Sequence, residues 1–538
     1  MTITRRGFLL GAGAAAGVLG LEGPAGARGK PPGTSPIERS VPNGLKTDPF
    51  TLGVASGDPL PTGVVLWTRL APRPLEGGGM SEHSVPVRWQ VATDESFGRR
   101  SVVRHGVAMA EAGLGHSVHV DVEGLEPGRE YWYRFRASRW MSPVGRTRTA
   151  PAAGASPAAF AFAFASCQHW ETGYYTAYRD MAEQDLDLVI HLGDYIYENG
   201  PKDPATKPGT PPERLHNSAE IYTVEDYRNR YGLYRSDEDL QLVHQRFPWV
   251  VTWDDHEVDN DHAGLVSDRP ADQPIFAQRR ASAYQAYYEH MPIRPRPSGP
   301  NLELYRNLRF GDLLNLHVLD TRQHRSDQPC GGEPGNCDER LAETQTMTGT
   351  DQERWLLEGL GASDARWDVL AQQTIFAELD FNAFQDGSVG SAGLFNPDQW
   401  DGYAAQRRRI ADFLAGGGAP RNAVVLSGDF HASFVNDVKV DYDDPGSPTV
   451  ATEFVGTSIS SGFDEALLPL AEIITSSPDN PHIKDFDGRQ RGYVTCRVGR
   501  DEWTSDFRVV STTEVPTAVA STRAVWAVED GRPGAVPA

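Results

Sequence analysis

A chain of 538 residues is several times what one hydrophobic core requires, so at least two domains are expected, one of them large, and a small stapled scaffold is excluded. The composition, 39% hydrophobic and 23% charged, is ordinary for a soluble globular protein, and no uncharged apolar run approaches the roughly 20 residues that span a bilayer. With 73 acidic against 51 basic residues the formal charge is −22, which disfavours non-specific binding to nucleic acid or an anionic membrane; bound multivalent cations can still reverse the field locally for a phosphorylated substrate.

Arg5-Arg6-Gly7-Phe8-Leu9-Leu10 leads into a short small-residue apolar stretch and then Ala25-Gly26-Ala27, the pattern of a cleaved twin-arginine export signal over residues 1–27. The expectation is a secreted or periplasmic protein that meets the twin-arginine export machinery, a route that moves folded chains and suits a metal site loaded before export. Residues 28–47, rich in Pro, Gly and Ser, read as a linker. From 48 to 150 short strand patterns recur, among them Gly63 to Arg69, Val85 to Val91 and Ser117 to Val122, and Gly124 to Phe135 resembles the last hairpin of a fibronectin-III-like β-sandwich. A Pro/Ala/Gly run from Ala150 to Pro157 reads as the link to the next domain.

Residues 158–510 alternate apolar runs with helix-like polar stretches, as in a layered α/β sandwich. The functional signal lies at the end of each run. Phe160 to Ala165 ends at Ser166-Cys167, Leu186 to Leu192 at Gly193-Asp194, and Trp249 to Trp253 at Asp254-Asp255-His256. Leu313 to Leu319 ends at Asp320-Thr321-Arg322, and Ala423 to Ser427 at Gly428-Asp429-Phe430-His431. Polar, ligand-type residues past the C-terminal ends of strands argue for one shared site on that rim. Of the four cysteines, Cys330 and Cys337 flank a turn-rich segment and are expected to close a short disulfide loop in an oxidising compartment. Residues 511–538 show no strong period and read as a tail or covering segment.

Gly193-Asp194-Tyr195-Ile196-Tyr197 resembles the GDxxY element of purple acid phosphatases, within the calcineurin-like metallophosphoesterases. Trp253-Asp254-Asp255-His256-Glu257 stands where those enzymes carry Gly-Asn-His-Asp/Glu, and Gly428-Asp429-Phe430-His431 where they carry Gly-His-x-His. The departures, together with Ser166-Cys167-Gln168 and Phe50 to Pro59, resemble the PhoD-type alkaline phosphatase and phosphodiesterase family over about 48–510. The resemblance implies a calcineurin-like catalytic domain and a site with one ferric iron (Fe3+) and calcium (Ca2+). Cys167, Asp194, Tyr197 and His431 match the iron positions; Asp194, Asp255 and Asp429 match positions facing calcium. Thiolate, phenolate and imidazole donors suit iron and carboxylates suit a hard cation, in agreement with that division. Asp254 competes with Asp255 for the ligand role.

The reaction expected is hydrolysis of phosphate mono- or diesters by a metal-bound hydroxide or oxo group, with His256 as proton or hydrogen-bond donor. Arg322 is a candidate to grip phosphate oxygens, its alternative being a salt bridge to a carboxylate, and Arg228 and Arg230 are further phosphate candidates on a polar helix. No stable nucleic-acid or membrane partner is expected, and a monomer is favoured. A secreted phospholipase-D-like phosphodiesterase and a non-catalytic exported binding protein are the competing readings.

Overall fold

The computed structural model describes residues 45–202, 213–381 and 393–538. The twin-arginine segment and nearly all of the 28–47 linker lie outside these residues. Among them, no helix is long and apolar enough to cross a membrane.

Two large mixed sheets face each other. The first has ten strands, and its centre is three parallel neighbours: Ala159–Ala165, Leu188–His191 and Pro248–Val251. The second has seven strands, with Leu314–Val318, Trp367–Ala371, Ala423–Ser427 and Thr449–Val455 side by side and parallel. The sequence Ala-Phe-Ala-Phe-Ala-Phe-Ala at 159–165 shows why the layers form. Strand side chains alternate in direction, so Phe160, Phe162 and Phe164 enter the core between the sheets while Ala163 and Ala165 turn to the outer face. Burying such a phenylalanine contributes roughly 1.5–3 kcal/mol. Helices Thr176–Glu183, Val224–Tyr234, Glu238–Arg246 and Phe276–His290 cover the outer face of the first sheet. Helices Gly349–Gly361 and Ala404–Ala415 cover that of the second. The result is a layered α/β sandwich.

The N-terminal segment is not an appended bead. Strand Val54–Leu60 pairs in parallel with Pro248–Val251, so Val54–Leu60, Gly63–Arg69 and Ser117–Glu123 complete one edge of the ten-stranded sheet. A five-stranded sheet including Val85–Ala92 and Glu130–Ala137 packs on them through Val64, Leu66, Val120, Val87, Tyr133 and Phe135. Residues after 510 also differ from a tail: Ala520–Glu529 pairs antiparallel with Glu502–Val510 and extends the opposite edge. The lack of a clean period there follows from its partial exposure, since only Trp526, Ala527 and Val528 of that strand are buried. Cys330 and Cys337 are disulfide-bonded.

Because the central strands run parallel within each sheet, their C-terminal ends deliver loops 166–168, 193–197, 252–257, 320–322 and 428–431 to one rim. A parallel bridge between Ser166 and Ser458 joins the two sheets there.

Candidate metal centre

The backbone at this rim is strained at the residues that carry donor groups. Cys167, Asp194, Asp429 and His431 all occupy the left-handed region, with φ of 58°, 56°, 61° and 57°. A side chain there costs of order 1–3 kcal/mol and persists where the surroundings enforce it. The enforcement is visible. Cys167 N donates to the Gly193 carbonyl at 3.1 Å and Gln168 N to the Asp194 carbonyl at 3.0 Å. The buried Glu257 carboxylate accepts from the backbone N–H of Asp194 (3.0 Å), Tyr195 (2.6 Å) and Asp254 (2.9 Å), clamping two loops together. Gly193 is required at the crossing, because a Cβ there would lie 2.4 Å from Asp254 Cβ.

Donor atoms of Cys167, Asp194 and His431 lie within 4.8 Å of one another, as do those of Asp194, Asp254, Asp255 and Asp429, so Asp194 belongs to both groups. The Tyr197 hydroxyl joins the first group, 2.8 Å from Asp194 Oδ2, 3.2 Å from His431 Nε2 and 2.7 Å from Ser461 Oγ. His431 Nδ1 lies 3.2 Å from the Gly462 carbonyl, which only accepts, so Nδ1 carries the proton and Nε2 presents its lone pair to the cluster. Desolvation and then Arg491 hold that imidazole neutral, its pKa lowered to about 3.

Without a cation the cluster is electrostatically unsatisfied. Burial raises the pKa of Asp194 and Asp254 well above the usual carboxylate range and that of Asp429 to about 6. Burial and then the Asp194 charge push the Cys167 thiol and the Tyr197 phenol up as well. Asp194 Oδ1 and Asp254 Oδ2 are buried without a hydrogen-bond partner. Such orphaned oxygens mark a position for a cation, and the thiol, phenol, imidazole and carboxylate set fits one soft-tolerant and one hard ion.

Asp254 and Asp255 divide their duties. Asp254 Oδ1 accepts from Arg322 Nε. Asp255 accepts from His256 N at 2.8 Å and Asp261 N at 2.7 Å, which aims its carboxylate. Burial opposes its charge, yet Arg322 and His256 hold it ionised, below the usual range. Both stand in the cluster.

Arg322 is fully buried: Nη1 donates to Asp398 at 2.9 Å, and Nη2, lacking a hydrogen bond, lies 3.7 Å from Asp255 and 3.9 Å from Asp429. The salt-bridge alternative therefore describes Nε and Nη1, and one nitrogen remains turned to the cluster. His256 Nδ1 is fixed at 2.7 Å on Glu198, leaving Nε2 as the atom a substrate can meet, and its ring lies 4.2 Å from that of Tyr197. Burial opposes its charge, but Glu198, Asp255 and Asp194 raise its pKa well above the ordinary value. Arg228 is not drawn into this group. It makes a two-point pair with Glu289, 2.6 Å at each contact, and reaches the Gly113 carbonyl. Arg230 is buried against the carbonyls of Tyr197 and Asn199.

Sequence patterns alone do not single out Glu198, Asp261, Asp398, Ser461 or Gln399, whose Nε2 donates to Asp429 Oδ2 at 2.6 Å. Glu257 lies inside the motif Trp253 to Glu257, yet nothing in that pattern reveals its clamping role.

Residues 162–507 match the model of a PhoD-like phosphatase, and residues 37–151 that of a PhoD-like phosphatase, N-terminal domain. Alkaline phosphatase D of Bacillus subtilis (strain 168) is 48% identical over 99% of this chain and 89% of its own length. A solved structure described as the structure of PhoD superposes with a TM-score of 0.85 at 47% identity, covering 92% of this chain and 93% of the other.

Proposed function

The chain belongs to the PhoD-like phosphatase family and is a phosphoric ester hydrolase; from that premise we propose how its residues divide the work. The observation that carries the proposal is the sharing of Asp194 between a Cys167/Tyr197/His431 group and an Asp255/Asp429 group. We assign a ferric iron to Cys167, Asp194, Tyr197 and His431, and calcium to Asp194, Asp255 and Asp429. When bound, such ions supply a water of lowered pKa and Lewis-acid stabilisation of a phosphoryl group.

The chain's own groups do the rest. Arg322 Nη2 balances carboxylate charge at the cluster and offers a hydrogen bond to an equatorial phosphate oxygen. His256, held protonated and oriented by Glu198, donates from Nε2 to the leaving alkoxide. Glu257 keeps the Asp194 and Asp254 loops in register through their backbone N–H groups. The half-buried Asp429 and His431 leave one side of the cluster open to substrate, whereas Cys167, Asp194 and Asp255 are enclosed.

The same proposal includes export by the twin-arginine pathway, a calcineurin-like region at 158–510, a fibronectin-III-like segment at 48–150, and alkaline phosphate mono- and diesters as substrates. Elemental analysis and a visible spectrum of protein recovered from its export route test it. A tyrosinate-to-iron absorption band, lost in Tyr197→Phe, is expected; a colourless zinc protein would refute the iron assignment while leaving the hydrolase.

A further inference from the structure

Against the loop that carries Asp429 and His431 lies a cavity of about 280 Å³ whose described lining is almost wholly apolar, with Leu379, Phe430, Phe463, Leu467, Leu470 and Ile474 among its side chains. Among the described residues, only Asn396 and Thr475 line it with polar side chains. Its position follows from the sequence of the metal loop. Phe430 stands between Asp429 and His431, and all three are half-buried at the rim. Phe463 follows Gly462, whose carbonyl fixes His431 Nδ1, so the far wall of the cavity and the orientation of a metal donor are set by one loop. Phe430 and Phe463 face each other with ring centroids 6.1 Å apart.

The floor of this cavity is core, formed by the buried Leu379, Phe434 and Ile474 with Phe430 and Phe463 packed on them, whereas its rim is open. At that rim Leu467 is 52% exposed at the start of helix Leu468–Thr475. Apolar surface left in water beside a polar reaction site is unfavourable until something covers it, and such patches mark binding sites. The cavity is too small for a protein element, and its lining residue Phe430 belongs to the same loop as the donors Asp429 and His431.

We propose that this cavity is a subsite for the apolar organic group of the phosphate ester, an alkyl chain or aryl ring, and thereby sets which esters the site prefers. The inference rests on the phosphoesterase reading of the adjacent cluster. A phosphate at the open side of Asp429 and His431 directs its ester oxygen over the Phe430 ring and the attached hydrocarbon into the cavity. Polar alcohols gain nothing there, because the lining offers them almost no hydrogen-bond partners.

Inhibition of p-nitrophenyl phosphate hydrolysis by methyl-, butyl- and octylphosphonate tests this with metal-loaded full-length protein, since each probe has one organic group and cannot be hydrolysed. The inhibition constant is expected to fall about two- to fourfold per added methylene until the cavity is filled. Ala471→Trp, which fills the cavity, and Leu470→Asp, which makes it polar, should each reduce the octyl-to-methyl ratio at least tenfold. A chain-length profile that is flat in the wild type, or unchanged in both variants, would overturn the proposal. Failure to cleave p-nitrophenyl phosphate at all would instead refute the phosphoesterase reading, and the subsite with it.

Discussion

Two clusters of acidic side chains sit close together in this protein, and only one of them is built to hold ions. Glu198, Glu220 and Asp259 bring carboxylate oxygens within 4.8 Å of one another, as do Asp194, Asp254, Asp255 and Asp429. In the first cluster every charge already has a partner. Arg269 and Arg279 each bind both Glu220 and Asp259, Ser267 Oγ donates to Asp259 at 2.8 Å, and His256 and the Asn260 N–H bind Glu198. In the second, Arg322 and His256 face four carboxylates, two of which keep a buried oxygen without any partner. Proximity of acids is therefore a poor guide to a metal; uncompensated charge on enforced, strained backbone is a better one.

The comparison can be broken at several points. The largest effect is expected from Asp194→Asn, which removes the carboxylate common to both donor groups: kcat for p-nitrophenyl phosphate should fall about 10³-fold. Arg279→Met attacks the other cluster and leaves buried carboxylate charge unpaired, so stability should fall by about 3 kcal/mol in urea titration, while kcat per metal-loaded molecule stays within about threefold. Glu257→Gln has one acceptor where the carboxylate has two and turns an amide N–H towards backbone donors. Metal affinity should weaken about 10–100-fold, read by chelator competition, with the protein still folded.

The smallest effect belongs to a control outside both clusters. His119 stacks on Tyr288 at 4.2 Å and bonds the Met291 carbonyl, and burial lowers its pKa from 6.5 to about 4. In that window the unfolded chain binds the proton and the folded one does not. The stabilisation is thus full above about 6.5 and is lost as pH falls towards about 4. His119→Gln should flatten the Tm profile between those pH values by about 2 °C, without altering either cluster.

Much of the second cluster is legible in the sequence. Alternating or continuous apolar runs locate the strands, and the ligand-type residues after Ala165, His191, Val251 and Ser427 fall on one rim because parallel strands deliver their C-terminal ends together. What the sequence conceals depends on long-range geometry. Asp398 and Gln399 follow no strand, and reach Arg322 and Asp429 only through the packing of the second sheet's loops. Arg228 reads as a phosphate candidate on a polar helix, but its partner Glu289 lies 61 positions away on another helix. The parallel pairing of Val54–Leu60 with Pro248–Val251 is equally hidden, since a strand's own pattern does not say which neighbour it will choose.

The iron and calcium content of Asp194→Asn measured beside that of Glu220→Gln tests the central claim most directly. Both variants remove one carboxylate charge from a tight acidic cluster. Loss of iron from Asp194→Asn with wild-type content in Glu220→Gln is the predicted result. Full iron content in Asp194→Asn, or its loss only in Glu220→Gln, would contradict the assignment of the metal centre.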